Sequence, residues 1–360
     1  MVPFTIFNCG TGYHRNSNDV VANLFKEVDP QHRFITDGPG SQGSDFDKFR
    51  GGITGHGVGA NVNRAVDEIR ERYERLQERS QGTRMVVNLI GWSRGAVTCF
   101  KIANKLNRDR SELSSMVRCN IYAIDPVPGG GTIPGAKGIV NGHMWRDIRM
   151  TPNIGMCSIV YAQHDWTERK RSLFIPFIPK LQKYVDVELM PGNHAELVEK
   201  TDRNPEAHRL VRDLAKRFLM ARKTRFINVR DNPLLTDDEI LEKYSKMLSG
   251  FDAISDKAKG RKVLGFKKTV YPKGRPKREK KEKLVLNPSK PSFFINSHHR
   301  EVFTRRFPKL AARIDRTARG NSRTIQENWR FFDQEFRMLD TLPYAATRNV
   351  VYDYFELALV

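Results

Sequence analysis

Apolar positions fall in two rhythms along the chain. Over residues 61–79 they recur at three- and four-residue spacing (Val62, Ala65, Val66, Ile69, Tyr73 and Leu76), with Asp, Glu and Arg between them. That period predicts an amphipathic helix with one packed face and one wet face. Elsewhere the apolar residues run together in blocks of strand length. Residues 85–90, 119–124 and 156–162 read as strands buried on both faces. Residues 3–7 predict a short first strand, and residues 184–189 a last one. Residues 96–106 and 205–221 read as helices. Strands alternating with helices predict an α/β fold: a mostly parallel sheet flanked by helices.

Other stretches lack either rhythm. Residues 36–59 are polar and rich in Gly, which predicts loop. From about Asp256 the composition changes. Residues 257–290 are dense in Lys and Arg with scattered Pro and Gly, and read as a flexible basic arm. Beyond it, Phe303, Phe307, Leu310, Ile314, Trp329 and Phe336 suggest a small helical appendage. The expected organisation is therefore an α/β domain over 1–255, a basic linker over 256–292 and a helical C-terminal appendage over 293–360.

Composition narrows the classes. The chain has 360 residues and 39% hydrophobic residues, enough for one α/β domain with an appendage. No run approaches the roughly 18 apolar residues of a transmembrane helix. The first residues, MVPFTIFNCG, have no basic start and no long apolar stretch, so no Sec signal peptide is expected. The cysteines Cys9, Cys99, Cys119 and Cys157 lie far apart with no C-x-x-C pair, which argues against zinc and for reduced, buried thiols. Net charge is +21, and such an excess favours anionic partners: nucleic acid, an acidic membrane surface or an acidic protein.

Candidate chemistry centres on Ile90-Gly91-Trp92-Ser93-Arg94-Gly95-Ala96. G-x-S-x-G arises by chance in roughly one chain in ten of this length, so the motif alone decides little. Here it directly follows a buried-strand pattern and opens a helical one. At a tight strand-to-helix turn the backbone is strained, the flanking glycines allow close approach, and the serine hydroxyl is raised above the sheet. That context predicts an α/β-hydrolase-like domain with Ser93 as nucleophile. A serine needs a base, and the base needs a carboxylate to orient it. The chain order in such folds is Ser, acid, His. His194, in the turn after the last expected strand, is the expected base ahead of His143, His164 and His208. Asp125, at the end of one strand and fixed by Pro126, is the expected acid, with Asp165 at the end of the next strand as the alternative. The oxyanion is assigned to the N–H groups of Arg94 and of Gly10 or Thr11, in the turn Cys9-Gly10-Thr11-Gly12 after the first strand. A G-x-G phosphate cradle is the rival reading of that turn, but it lacks the rest of the fingerprint and a Walker lysine. No cofactor and no metal are required.

Taken in order, these segments resemble the phospholipase effectors of bacterial type VI secretion, in the class that carries an uncharacterised α/β-hydrolase domain. The resemblance rests on Cys9-Gly10-Thr11, on Gly55-His56-Gly57-Val58-Gly59-Ala60 with the helix after it, and on Gly91-Trp92-Ser93-Arg94-Gly95-Ala96. Ile124-Asp125-Pro126-Val127, the stretch from His164-Asp165-Trp166 to Arg171, and Pro191-Gly192-Asn193-His194 complete it. It covers roughly residues 1–220. Cys9 stands where that group has an acidic residue, and Ala195-Glu196-Leu197 where it has a small, acidic run. The resemblance implies hydrolysis of glycerophospholipid acyl esters, action at a phospholipid membrane surface, and secretion-apparatus and immunity proteins as partners. It also implies residence in the producing cell's cytoplasm before delivery to a target cell. The apolar stretch over 173–178 then reads either as a lid that enters lipid or as a core segment. Two other functions remain on composition: a nucleic-acid-binding protein using the basic arm on an idle hydrolase fold, and a hydrolase of small esters.

Overall fold

The computed structural model describes residues 3–41, 57–128, 151–166, 176, 185–227, 229–250, 253–254, 258–260, 262–270 and 278–285. In chain order the first strands are Phe4–Asn8 (β1), Arg33–Thr36 (β2), Met85–Trp92 (β3), Val117–Ile124 (β4), Ile154–Ala162 (β5), His164–Trp166 (β6) and Val185–Met190 (β7). All but β6 join in one sheet of order β2-β1-β3-β4-β5-β7, and every pairing in it is parallel. The helices are Val20–Glu27 (α1), Val58–Arg79 (α2), Arg94–Asn107 (α3), Leu113–Met116 (α4), Ala207–Ala221 (α5) and Asp237–Ser249 (α6).

Period-two alternation within the strands divides the core in two. Ile6, Leu89, Ile121 and Ile159 face one way and pack with Val62, Val66 and Ile69 of α2 and with Ala96, Phe100 and Ala103 of α3. Phe7, Ile90, Tyr122 and Val160, their neighbours in sequence, face the other way. They pack with Val21 and Leu24 of α1, Leu210 and Leu214 of α5 and Tyr244 of α6. The result is a three-layer helix–sheet–helix sandwich. A strand covered on both faces gains nothing from polar alternation, which is why β3, β4 and β5 read as unbroken apolar blocks. Each fully buried Val, Leu, Ile or Phe in these layers contributes about 1.5–3 kcal/mol of transfer free energy.

Strand order fixes where a site can form. From β1 the chain steps to the edge at β2, then crosses back over β1 to β3 and proceeds outward. Connections on either side of the β1–β3 pair therefore leave in opposite directions, and a crevice opens at the carboxyl ends of those two strands.

Residues 257–290, expected from composition to be a flexible arm, contain three strands: Ala258–Gly260 (β8), Lys262–Val270 (β9) and Arg278–Val285 (β10). β9 and β10 pair as an antiparallel hairpin, and β8 pairs antiparallel with β6. The reason is visible in the letters. Val263, Leu264, Phe266, Thr269 and Val270 favour extended chain, and Glu279 and Glu282 break the run of positive charge. Among the described residues no helix is long and apolar enough to cross a membrane. The expected helical appendage over 293–360 and the candidate His143 lie outside the described residues, as does the 173–178 stretch apart from Pro176.

Candidate active site

Ser93 sits between the end of β3 and the start of α3 with φ 57° and ψ −121°, backbone angles that side chains other than Gly rarely adopt. The bend is held from below. The Ser93 N–H donates to the Ile124 carbonyl at 2.9 Å, and the Ser93 carbonyl accepts from Val127 N–H at 3.3 Å. Both flanking glycines are required by contact. A Cβ at Gly95 would lie 2.0 Å from the Asn8 carbonyl oxygen, and one at Gly91 would lie 2.4 Å from the Gly95 carbonyl. Sequence spacing, strain and packing thus agree on an elbow at this position.

Asp125 follows β4 directly. It too is held at positive φ, 46°, and is fully buried. Its N–H donates to the Val160 carbonyl at 2.7 Å, and its Oδ1 accepts from Ala162 N–H at 3.3 Å. Its Oδ2 meets Nδ1 of His194. A carboxylate only accepts, so Nδ1 carries the proton and Nε2 is left with its lone pair. The His194 side chain is 14% exposed, enough for a substrate to approach. The alternative acid, Asp165, lies on β6 in register with Lys259 of β8; it is Asp125 that is paired with the imidazole.

The turn that carries His194 is over-determined. Asn193 Oδ1 accepts from the N–H groups of Ala195 (2.9 Å) and Glu196 (3.3 Å), while Glu196 Oε2 accepts from Asn193 N–H at 2.8 Å. This is the reciprocal pattern of a capping box, here closing a turn with His194 directly after Asn193. Burial raises the Glu196 carboxyl above the usual range, opposed by the hydrogen bond from Asn193 N–H. Two residues before His194, the Gly192 N–H donates to His164 Nδ1 at 2.9 Å, and the Gly192 carbonyl accepts from His164 N–H at 2.9 Å. His164, one of the competing histidines, is buried and braces the turn that carries His194. His208 lies on α5, where burial, helped by the neighbouring Arg209, lowers its pKa to about 4.

Trp92 ties this turn to the elbow. Its indole Nε1 donates to the His194 carbonyl at 3.2 Å, and its ring centroid lies 5.0 Å from that of the imidazole. Tyr13, from the β1 turn, stands edge-on to Trp92 with ring centroids 4.6 Å apart. Within that turn the Gly10 carbonyl accepts from Tyr13 N–H. Among the described residues no acceptor takes the N–H of Gly10 or of Thr11. Arg94 opens α3, where helix geometry points backbone N–H groups outward along the axis. Its guanidinium reaches across the crevice to donate to Thr11 Oγ1, and burial lowers its pKa to about 10. The structure therefore brings Ser93, Asp125, His194, Arg94, Gly10 and Thr11 to one carboxyl edge of the sheet. Sequence reasoning missed Trp92, His164, Glu196 and the side chain of Arg94. Only Glu196 left a signal, the Asn-x-x-Glu spacing of a capping box. The four cysteines are buried and form no disulfide. Among the described residues no group of three or more His, Cys, Asp or Glu is placed to hold a metal ion.

The fold and site define an α/β protein of parallel sheet and flanking helices, with a strained serine and an Asp–His pair at the sheet's carboxyl edge. No family model matches the sequence, and no curated protein matches it. Among solved structures, the chain is similar to an uncharacterized protein from Pseudomonas aeruginosa, with a TM-score of 0.46 and 11% identity over 71% of this chain and 52% of that one. It is also similar to the Tle1 effector bound to the VgrG spike from the type 6 secretion system, with a TM-score of 0.33 and 15% identity over 55% of this chain and 51% of that one. The chain thus spans about half the length of the solved structures it matches.

Proposed function

We propose that the protein is a serine hydrolase of carboxylic esters, with glycerophospholipids as its substrates. The observation that carries this reading is the pairing of buried Asp125 with His194, joined to the strained Ser93 through the residue before it, Trp92. Ser93 Oγ attacks the acyl carbonyl while His194 Nε2 takes its proton. Asp125 holds the ring in the tautomer that can do so and stabilises the imidazolium. The oxyanion is received by the N–H of Arg94 and those of Gly10 and Thr11. His194 then returns the proton to the departing glyceryl oxygen, leaving an acyl-enzyme. Water, deprotonated by the same imidazole, attacks the acyl carbon; the bond to Ser93 Oγ breaks, the imidazolium returns the proton to that oxygen, and the fatty acid leaves. The lipid class, and delivery by a type VI apparatus into a target cell, are what the resemblance of the ordered motifs over residues 1–220 to the type VI phospholipase effectors implies.

The test is mass spectrometry of the products from mixed phospholipids and from short-chain esters. The native chain is expected to release fatty acid and lysophospholipid, and Ser93→Ala to fall by several orders of magnitude. Undiminished hydrolysis by Ser93→Ala defeats the proposal. Turnover of short-chain esters alone keeps the chemistry and removes the lipid.

A further inference from the structure

The turn after β1, whose Gly10 and Thr11 N–H groups are the proposed oxyanion donors, has little stiffness of its own. Thr11 stands between two glycines, and Gly12 is held at φ 79°, so the backbone on both sides of it is permissive. Donors stabilise an oxyanion well only where their positions are set before the charge develops. What sets Gly10 and Thr11 must therefore come from outside the turn. Its ends are tied to the end of β2 and the segment after it. Cys9 N–H donates to the Thr36 carbonyl and Gly12 N–H to the Pro39 carbonyl, both at 3.0 Å.

The middle of the turn is held by the elbow. Trp92 and Arg94 flank Ser93 in sequence, and each meets one of the two donor residues. Gly10 lies against the indole: a Cβ there would fall 2.3 Å from Trp92 Cε3. Thr11 Oγ1 accepts from Arg94 Nη1, and among the described residues this is the hydrogen bond that reaches Thr11. Arg94 is only 1% exposed, which leaves its guanidinium little surface for a substrate to touch. Burying that charge carries a cost that an apolar side chain would not. Burial lowers its pKa only to about 10, and an arginine donates and never accepts, so the direction of the bond to Thr11 is fixed across the neutral range.

We propose that the guanidinium of Arg94 is a positioning group for ester hydrolysis, fixing Thr11, and with it the N–H groups of the β1 turn, where the oxyanion forms beside Ser93. Arg94 then serves the oxyanion twice. Its own N–H donates from the start of α3, and its side chain holds the donors that come from β1. One residue thus links the elbow to the turn, so that both sets of donors keep their place relative to Ser93. The inference rests on the esterase reading, and the test separates the failure of one from the failure of the other.

The experiment is steady-state kinetics of the full chain on para-nitrophenyl butyrate and on mixed phospholipid micelles, with the melting temperature of each variant followed. Native chain is compared with Arg94→Met, Thr11→Val, Thr11→Ser and the double variant Arg94→Met with Thr11→Val. Thr11→Val keeps the Thr11 N–H and the Arg94 charge and removes only the acceptor. It is expected to lower kcat about a hundredfold, the effect of a misplacement of about 1 Å, with KM within a few-fold of native. Arg94→Met is expected to lose a similar factor. The double variant should lose no more than the larger single, because both substitutions break one bond. Thr11→Ser keeps the hydroxyl and is expected to recover kcat to within a few-fold of native. Should Arg94→Met melt early, Thr11→Val against Thr11→Ser carries the test, since Thr11 is partly exposed. Native kcat in Thr11→Val, a loss confined to KM, losses that multiply in the double variant, or a Thr11→Ser as slow as Thr11→Val would each overturn the proposal and leave the esterase reading standing. No hydrolysis of either substrate by the native chain removes both.

Discussion

Ser93 and Asp125 are two of the three non-glycine residues held at positive φ among the described residues, the third being Lys223. Such conformations cost of order 1–3 kcal/mol each and persist where the surroundings over-determine them. Here the neighbouring strands do so, through Ser93 N–H to Ile124 and Asp125 N–H to Val160. Both strained residues carry side chains that the proposed mechanism uses. If Asp125 sets the tautomer of His194, Asp125→Asn presents the wrong proton to the ring, and kcat for ester hydrolysis should fall by about 10³–10⁴. Asp165→Asn should stay within a few-fold of native. The reverse ranking in initial-rate measurements would move the acid's role to Asp165. At this scale the letters that the proposed mechanism uses were legible: Ser93, Asp125 and His194, in that order. The residues that hold them were not. Trp92 reads as one more apolar residue of β3, and only the folded chain sets its indole against His194.

Elements show the same division between local and distant causes. Long periodic stretches were legible, and the structure extends them by a residue or a few: the helix expected over 61–79 begins at Val58, and the strand expected over 85–90 runs to Trp92. Short elements were missed, α1 and β2 among them, because eight and four residues give a period too few turns to declare itself. Caps were the overlooked signal. Thr236 and Glu239 form a capping box at the start of α6, with Glu239 N–H to Thr236 Oγ1 at 3.2 Å and Thr236 N–H to Glu239 Oε2 at 2.8 Å. Asn193 and Glu196 exchange the same pair of bonds at the turn that carries His194. Glu196→Ala should cost about 1 kcal/mol of stability and lower kcat by roughly tenfold or more as His194 loses its fixed approach. Glu196→Gln keeps an acceptor for Asn193 N–H and should recover most of kcat. A raised folded-state pKa means that the native carboxyl contributes stability below its ordinary 4.5, and that this is lost as pH rises through the folded value. The melting temperature of Glu196→Gln relative to native should therefore climb as pH rises above 4.5. A flat difference would show that burial of Glu196 carries no proton linkage.

Across the whole molecule, sequence patterns say which faces are apolar but not which polar groups meet across them. Thr5, Asn88 and Asn120 stand in register on β1, β3 and β4. Asn120 donates to Asn88, and Asn88 and Thr5 both meet the Thr224 hydroxyl at 2.9 Å. Each looks like a polar interruption in an apolar block until Thr224 arrives from a segment more than a hundred residues away. The same holds for Glu27 and Lys216, 189 residues apart in sequence. Lys216 is fully buried. Its Nζ donates to Glu27 Oε2 at 2.6 Å, and Arg212 donates to Oε1 at 2.6 Å. This ion cluster joins α1, the helix the sequence did not announce, to α5. Removing one partner of a buried pair strands a charge, whereas replacing both by apolar groups is often near neutral. Arg212 is partly exposed and can turn to water, but Lys216 cannot. Glu27→Leu should therefore lose about 3–5 kcal/mol in urea unfolding, and Glu27→Leu with Lys216→Met should recover most of that loss. A double variant as unstable as the sum of the two singles would mean that the cluster is held by something other than the pairing of its charges. In that case the attachment of α1 to α5 would rest on apolar contacts such as those of Val21 and Leu24.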